Sequence, residues 1–313
     1  MRKILITGAN GMIGSAIVRE LINKYELILV DSYTNRIEQY SDKATIIKND
    51  LIKVVEWQDA LNGVYCVVHL AAAVHWAPKT SEEEQMFIQT NAEGTRTLYY
   101  ACLENSVERF LFFSTNDVYI ASDELITEET PTEPKGIYGK SKILAEQYLL
   151  EASKASKTAV CIFRPASVYG ENDIGSMKSL IAFCRKGIVP MIGRGANKKA
   201  LLYLKDIVQA VEMYIESEND QNGEVFNISS GDYEYREIID AICNGYGFKP
   251  LRIYIPAWFC KKVASKISPL KKLAVAGETK AVSNDKALKL LGYKGKYSLI
   301  NGLMDAKGYY VEG

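Results

Sequence analysis

Apolar residues gather into short runs that recur through the first half of the chain, with polar and amphipathic stretches between them. The runs at 3–7, 26–31, 44–48, 65–70, 109–114 and 159–164 are too short for buried helices and are predicted as strands covered on both faces. Mostly helical material separates them, which is the pattern of a parallel sheet wrapped by helices. Connection rules then favour an α/β fold built on one doubly wound parallel sheet of the Rossmann type.

After Pro165 the pattern loosens into a glycine-rich, basic loop through Gly187, Gly193, Arg194 and Gly195. A strand-helix unit at 201–215 and a strand at 224–228 follow, and from Tyr235 onward short lysine-rich helices are expected, including 258–267 and 285–291. This predicts a dinucleotide-binding domain over 1–165, with 201–230 returning to it, and a smaller, discontinuous C-terminal substrate domain from 166–200 and 231–313. The lysines between Lys261 and Lys296 read as solvated helix faces.

The segment ITGANGMIGSAIV joins the first strand to the first helix. Each glycine has its own task there: Gly8 for the tight turn, Gly11 for backbone approach to a pyrophosphate, and Gly14 for close packing of the helix. The helix N-terminus presents free N–H groups and a positive dipole end to phosphate. Asn10, Met12 and Ile13 belong to the same expected cofactor surface. Asp31 ends the second strand roughly 20 residues downstream, where a carboxylate accepts hydrogen bonds from an adenosine ribose. It would also repel the extra phosphate of NADP, so NAD is expected; nearby Arg36 keeps NADP as the alternative.

Charge balance narrows the partners. Lys and Arg total 38 against 38 Asp and Glu, so nucleic acid is not an expected partner. The six cysteines are scattered through apolar segments and read as reduced thiols. With only His69 and His75 available, neither a metal site nor a histidine triad is expected. Glycines interrupt the apolar N-terminus, and no run approaches the roughly 20 apolar residues of a membrane span. A cytoplasmic protein without membrane insertion is expected.

Tyr138 and Lys142 lie four apart on a predicted helix that runs to about Ser153, which places both on one face. Lysine's charge, with an oxidised nicotinamide ring, favours a phenolate, and such a tyrosine can exchange a hydroxyl proton while hydride moves to or from the cofactor.

The chain resembles the extended short-chain dehydrogenase/reductases, or NAD-dependent epimerase/dehydratases, of the sugar-nucleotide branch. The likeness rests on the glycine spacing at 8–14, Asp50-Leu51, HLAA at 69–72, NAEGT at 91–95, STNDVY at 114–119, YGKSK at 138–142 and RPASVYG at 164–170. It implies that Asp50 and Leu51 contact the adenine, that Leu70, Ala71 and Ala72 line the cofactor cleft, and that Lys142 touches the nicotinamide ribose. It also implies that Thr115, with Ser114 as the neighbouring alternative, hydrogen-bonds the reacting oxygen.

Substrate contacts are implied at Asn116, Ser167 and Lys199, although Ser167 replaces the Asn common in the family and Lys199 replaces an Arg. Family 4,6-dehydratases carry Asp-Glu after the Thr. Here Asn116-Asp117 leaves a single carboxylate, which disfavours dehydration. Two readings stay open: 4-epimerisation of a nucleotide sugar and reduction of a 4-keto nucleotide sugar. A sterol or lipid dehydrogenase and a non-catalytic dinucleotide sensor are the readings from other classes. The resemblance also implies a homodimer through the helices near 91–103 and 138–150.

Overall fold

The computed structural model describes residues 1–74, 78–262 and 275–312. In chain order its strands are β1 (Lys3–Thr7), β2 (Glu26–Asp31), β3 (Ala44–Lys48), β4 (Cys66–His69), β5 (Arg109–Phe113), β6 (Ser122–Ile126) and β7 (Ala159–Pro165). They continue with β8 (Ser167–Tyr169), β9 (Ile188–Ile192), β10 (Lys198–Tyr203), β11 (Glu224–Ile228), β12 (Gly231–Glu234), β13 (Leu251–Ile255) and β14 (Lys280–Val282). The helices used below are α1 (Met12–Leu21), α2 (Ser81–Ile88), α3 (Gly94–Glu104), α4 (Ile137–Ser153), α5 (Ser176–Arg185), α6 (Leu204–Glu216) and α7 (Tyr235–Tyr246).

Seven strands pair in the order β11-β7-β5-β4-β1-β2-β3, all parallel. The sheet is doubly wound, as the run of short apolar segments requires. Its alternating side chains feed two cores. One packs Ile4, Ile6, Val68 and Phe163 against α1 and α6. The other packs Leu5, Val67, Phe110 and Phe112 against α3 and α4. Because every strand points the same way, the segments after β1, β2, β3, β4, β5 and β7 emerge along one edge, where ligands of such sheets bind.

A second sheet orders as β12-β10-β14-β6, with β8 also pairing β10. The strand at 198–203 therefore belongs to this smaller sheet, while α6 and β11 lie with the large one. The strand β14 inserts parallel between β10 and β6. A separate two-stranded pair joins β13 to β9, and a third core holds α5, α7 and the C-terminal helix Leu299–Asp305. Of the helix expected at 258–267, the part within Ala257–Lys262 is helical, and the remainder lies outside the described residues, as does His75.

Candidate active site

Each glycine of the first loop answers a specific contact. Gly8 has φ +70° and lies so close to the β4 exit that a Cβ would come within 2.7 Å of the Ala71 nitrogen. At Gly14 a Cβ would stand 2.1 Å from the Gly8 carbonyl oxygen, so only glycine lets α1 begin there. A Cβ on Gly11 would meet protein only at the Gly8 oxygen, 3.2 Å away. That position is open rather than packed.

Gly11 caps α1 without a side-chain bond, and no acidic residue stands in the first turn of Met12, Ile13 and Gly14. A diphosphate fits such an end, because the first-turn N–H groups and the helix dipole both favour an anion. Asp31 closes the loop from the next strand: its carboxylate accepts from the Asn10 backbone at 2.9 Å and from Tyr33 at 3.1 Å. Asn10 in turn accepts from the Arg36 backbone at 2.7 Å, and the Arg36 guanidinium donates to the Asn10 carbonyl at 3.0 Å. Asp50 caps its own turn by accepting from Ile52 at 3.2 Å. Leu51 is buried in the core beside α3, while Leu70, Ala71 and Ala72 are half-buried at the exit of β4.

Lys142 is 2% exposed, and its ammonium donates to the Phe113 carbonyl at 2.8 Å. It lies over the Phe112 ring at 4.7 Å and 6.0 Å from the Tyr138 ring centroid. Burial lowers Lys142 to about 7, with Glu146 pulling the other way. Burial likewise raises the Tyr138 phenol, and the neighbouring Asp117 charge raises it further. The protein's own groups therefore favour the protonated phenol. Lowering it requires the positive charge of an oxidised nicotinamide as well.

Gly139 brings this helix against the turn after β5: a Cβ there would come within 2.7 Å of the Asp117 carbonyl oxygen. In that turn Thr115 is buried and accepts from the Asp117 backbone at 3.1 Å, leaving its own hydroxyl proton to donate. Ser114 is also buried, and its hydroxyl has no partner among the described residues. The two hydroxyls are thus distinguished: one is tied to the turn, the other is unpaired.

Asn116, Tyr138, Ser167 and Lys199 line one cleft of about 330 Å³, while Thr115 and Lys142 are not among its lining residues. Lys199 donates to the Val275 carbonyl at 2.7 Å and is lowered to about 8 by burial. The same cleft contains a residue the sequence reading assigned to a solvated helix. Lys280 stands on β14 instead, donating to the Asn116 carbonyl at 3.2 Å and pairing with Asp117 at 3.1 Å. No local signal marks it, since the contact spans more than half the chain.

A buried polar chain ties the cofactor strand to the tyrosine helix. His69 Nδ1 meets Thr7 Oγ1 at 2.6 Å and its Nε2 meets Thr95 Oγ1 at 2.8 Å. Burial, then Lys142, holds His69 far below its usual range and therefore neutral. Thr95 donates to the Asn91 carbonyl at 2.6 Å. The Asn91 side chain clasps the Ala73 backbone and donates to Ser141 at 2.9 Å, and Ser141 donates to the Tyr138 carbonyl at 2.8 Å. The HLAA, NAEGT and YGKSK motifs hold His69, Asn91, Thr95 and Ser141, but only folding reveals that they form one path.

A model of the NAD dependent epimerase/dehydratase family matches residues 4–229. The chain belongs to that family. NAD is the cofactor of this epimerase/dehydratase, and the glycine loop, the α1 terminus and Asp31 suit it. Among its relatives is a UDP-glucose 4-epimerase of Vibrio cholerae, 27% identical over 85% of this chain and 82% of that one. A sterol-4-alpha-carboxylate 3-dehydrogenase of Dictyostelium discoideum is 26% identical over 97% and 99%. The fold is shared with a UDP-glucuronic acid 4-epimerase from Bacillus cereus, at TM-score 0.83 and 22% identity, with 99% of each chain covered.

Proposed function

We propose that this epimerase/dehydratase is an NAD-dependent 4-epimerase of a nucleotide-linked sugar, working as a cytoplasmic homodimer. The substrate would lie between the large sheet and the region from 166–200 and 231–313. One observation carries the reading: Tyr138 lines the cleft beside Asn116 and Lys199, one helical turn from the buried Lys142.

When bound, NAD supplies the hydride acceptor and donor. Gly8, Asn10, Gly11, Met12, Ile13, Gly14, Asp31, Asp50, Leu51 and Leu70–Ala72 would hold it. Tyr138 takes the proton of a C4 hydroxyl and later returns it, while Thr115 donates to the same oxygen. Lys142 would hold the nicotinamide ribose and, together with the positive charge of the oxidised ring, favour the phenolate. Asn116, Ser167 and Lys199 bind the sugar and diphosphate, Lys199 as a point charge. Asp31 would disfavour the extra phosphate of NADP.

The Asp117–Lys280 pair favours epimerisation over 4,6-dehydration, because elimination needs an additional free acid and base. Reduction of a 4-keto sugar is the second reading, since the same Tyr138 and Thr115 serve it. Incubation with UDP-, GDP- and dTDP-hexoses, with and without NADH, separates the two. The epimerase converts a C4 configuration with no net NADH consumed. Stoichiometric NADH oxidation with a 4-keto sugar, and no interconversion without it, overturns the epimerase reading.

A further inference from the structure

The strands β9 and β13 pair in parallel with Leu251 opposite Ile188 and Ile253 opposite Pro190, so these four side chains share one face. That face is turned outward: Ile188 is 54% exposed, Leu251 64% and Ile253 43%. On the opposite face Val189 and Met191 of β9 enter the third core, while Tyr254 of β13 is 63% exposed. Trp258, 61% exposed, follows β13 at the start of the helix Ala257–Lys262. Three aliphatic side chains exposed side by side on one strand pair, followed in the chain by an exposed tryptophan, form a cluster rather than single scattered apolar residues among the described residues.

Cations border it. The Leu251 amide donates to the Gly187 carbonyl at 2.8 Å, which brings Lys249 and the Arg185-Lys186 pair to the same end of the two strands. All three are exposed, and none has an ion pair among the described residues. In sequence, residues 241–277 contain seven Lys or Arg and no Asp or Glu within a chain of zero formal charge, with Arg252 among them paired to Asp240.

We propose that this face docks the enzyme on an anionic lipid bilayer, with Leu251, Ile253 and Trp258 entering the headgroup boundary and Arg185, Lys186 and Lys249 meeting lipid phosphates. Apolar area with an amphipathic aromatic beside unpaired cations is the chemistry of interfacial attachment. Lipid phosphate supplies the negative charge that an all-apolar partner would lack. Attachment of this kind needs no spanning segment, and among the described residues no helix is long and apolar enough to cross a membrane.

The full chain, mixed with vesicles of phosphatidylcholine alone or with added phosphatidylglycerol and followed by flotation and tryptophan emission, tests this. Expected are binding to the phosphatidylglycerol vesicles only, release by salt, and a blue shift that Trp258→Phe abolishes. The combined Arg185→Gln, Lys186→Gln and Lys249→Gln variant should lower partitioning by about a hundredfold, at about fivefold per cation. Leu251→Ser with Ile253→Ser should lower it with far-UV circular dichroism unchanged. No binding to phosphatidylglycerol vesicles, or equal binding to both lipids, overturns the proposal. So does a dimer that the serine variant splits while vesicle binding is absent, which would make the face a contact between copies of the chain.

Discussion

Lys280 holds Asp117 in an ion pair at 3.1 Å while also donating to the Asn116 carbonyl. The single carboxylate after Thr115 is thereby the partner of a cation rather than a free acid or base. Asp117→Asn is accordingly expected to keep C4 turnover within about tenfold and to give no dehydrated product by mass spectrometry. A fall on the order of a thousandfold, the size of a general acid or base contribution, would instead assign Asp117 a proton-transfer role.

Burial moves Lys142 well below the range of a surface lysine. Burial lowers it to about 7 from 10.5, so between those pH values the unfolded chain binds the proton more strongly than the folded one. Its contribution therefore makes folding less favourable as pH falls through that window, and the full penalty stands below about 7. Lys142→Met should stabilise the fold by about 1–3 kcal/mol near neutral pH, with the gain fading toward the usual lysine range. Turnover should fall by about a hundredfold or more. Urea unfolding at both ends of the window checks this, and a less stable variant at neutral pH contradicts it.

Arg164 anchors the tyrosine helix to β7. Its guanidinium donates to the Glu146 carboxylate at 3.0 and 2.5 Å and to the Tyr119 hydroxyl at 2.6 Å, with Arg164 and Glu146 both buried. Arg164→Leu leaves a buried, unpaired carboxylate and should cost about 3–5 kcal/mol. Adding Glu146→Leu should recover most of that loss in denaturant unfolding. No recovery in the double variant would show that the cost arises elsewhere.

The glycine loop separates folding from binding. Gly11→Val, at the open position, should leave the melting temperature near that of the parent while NAD affinity falls by about a hundredfold, or about 2.7 kcal/mol. Gly14→Ala meets the Gly8 oxygen and should destabilise the fold itself by about 1–3 kcal/mol. Calorimetry with NAD and thermal melting distinguish them. Equal effects of the two on stability would refute this assignment.

The large sheet was legible because each strand is a short apolar run with local boundaries: β1, β2, β3 and β11 begin and end where the pattern places them. The tyrosine helix ends at Ser153, also as read. The second sheet was not legible. Its strands are short and mixed in polarity, as in Ser122–Ile126 and Lys280–Val282, and are fixed by partners far along the chain. Lys280 escaped notice for that reason: a lysine within a lysine-rich stretch gives no sign that its strand inserts beside Lys199. Nor does sequence show that Asn91 joins Ala73 to Ser141, because that depends on how α4 packs against the helical turn at Gln89–Glu93.

The most direct test follows the sugar's C4 hydrogen by NMR while the enzyme turns over a nucleotide hexose in D2O. Expected are interconversion at C4 with that hydrogen retained, no deuterium at C5, and no turnover by Tyr138→Phe. Deuterium at C5 with a 4-keto-6-deoxy product, or undiminished interconversion by the Phe variant, would contradict it.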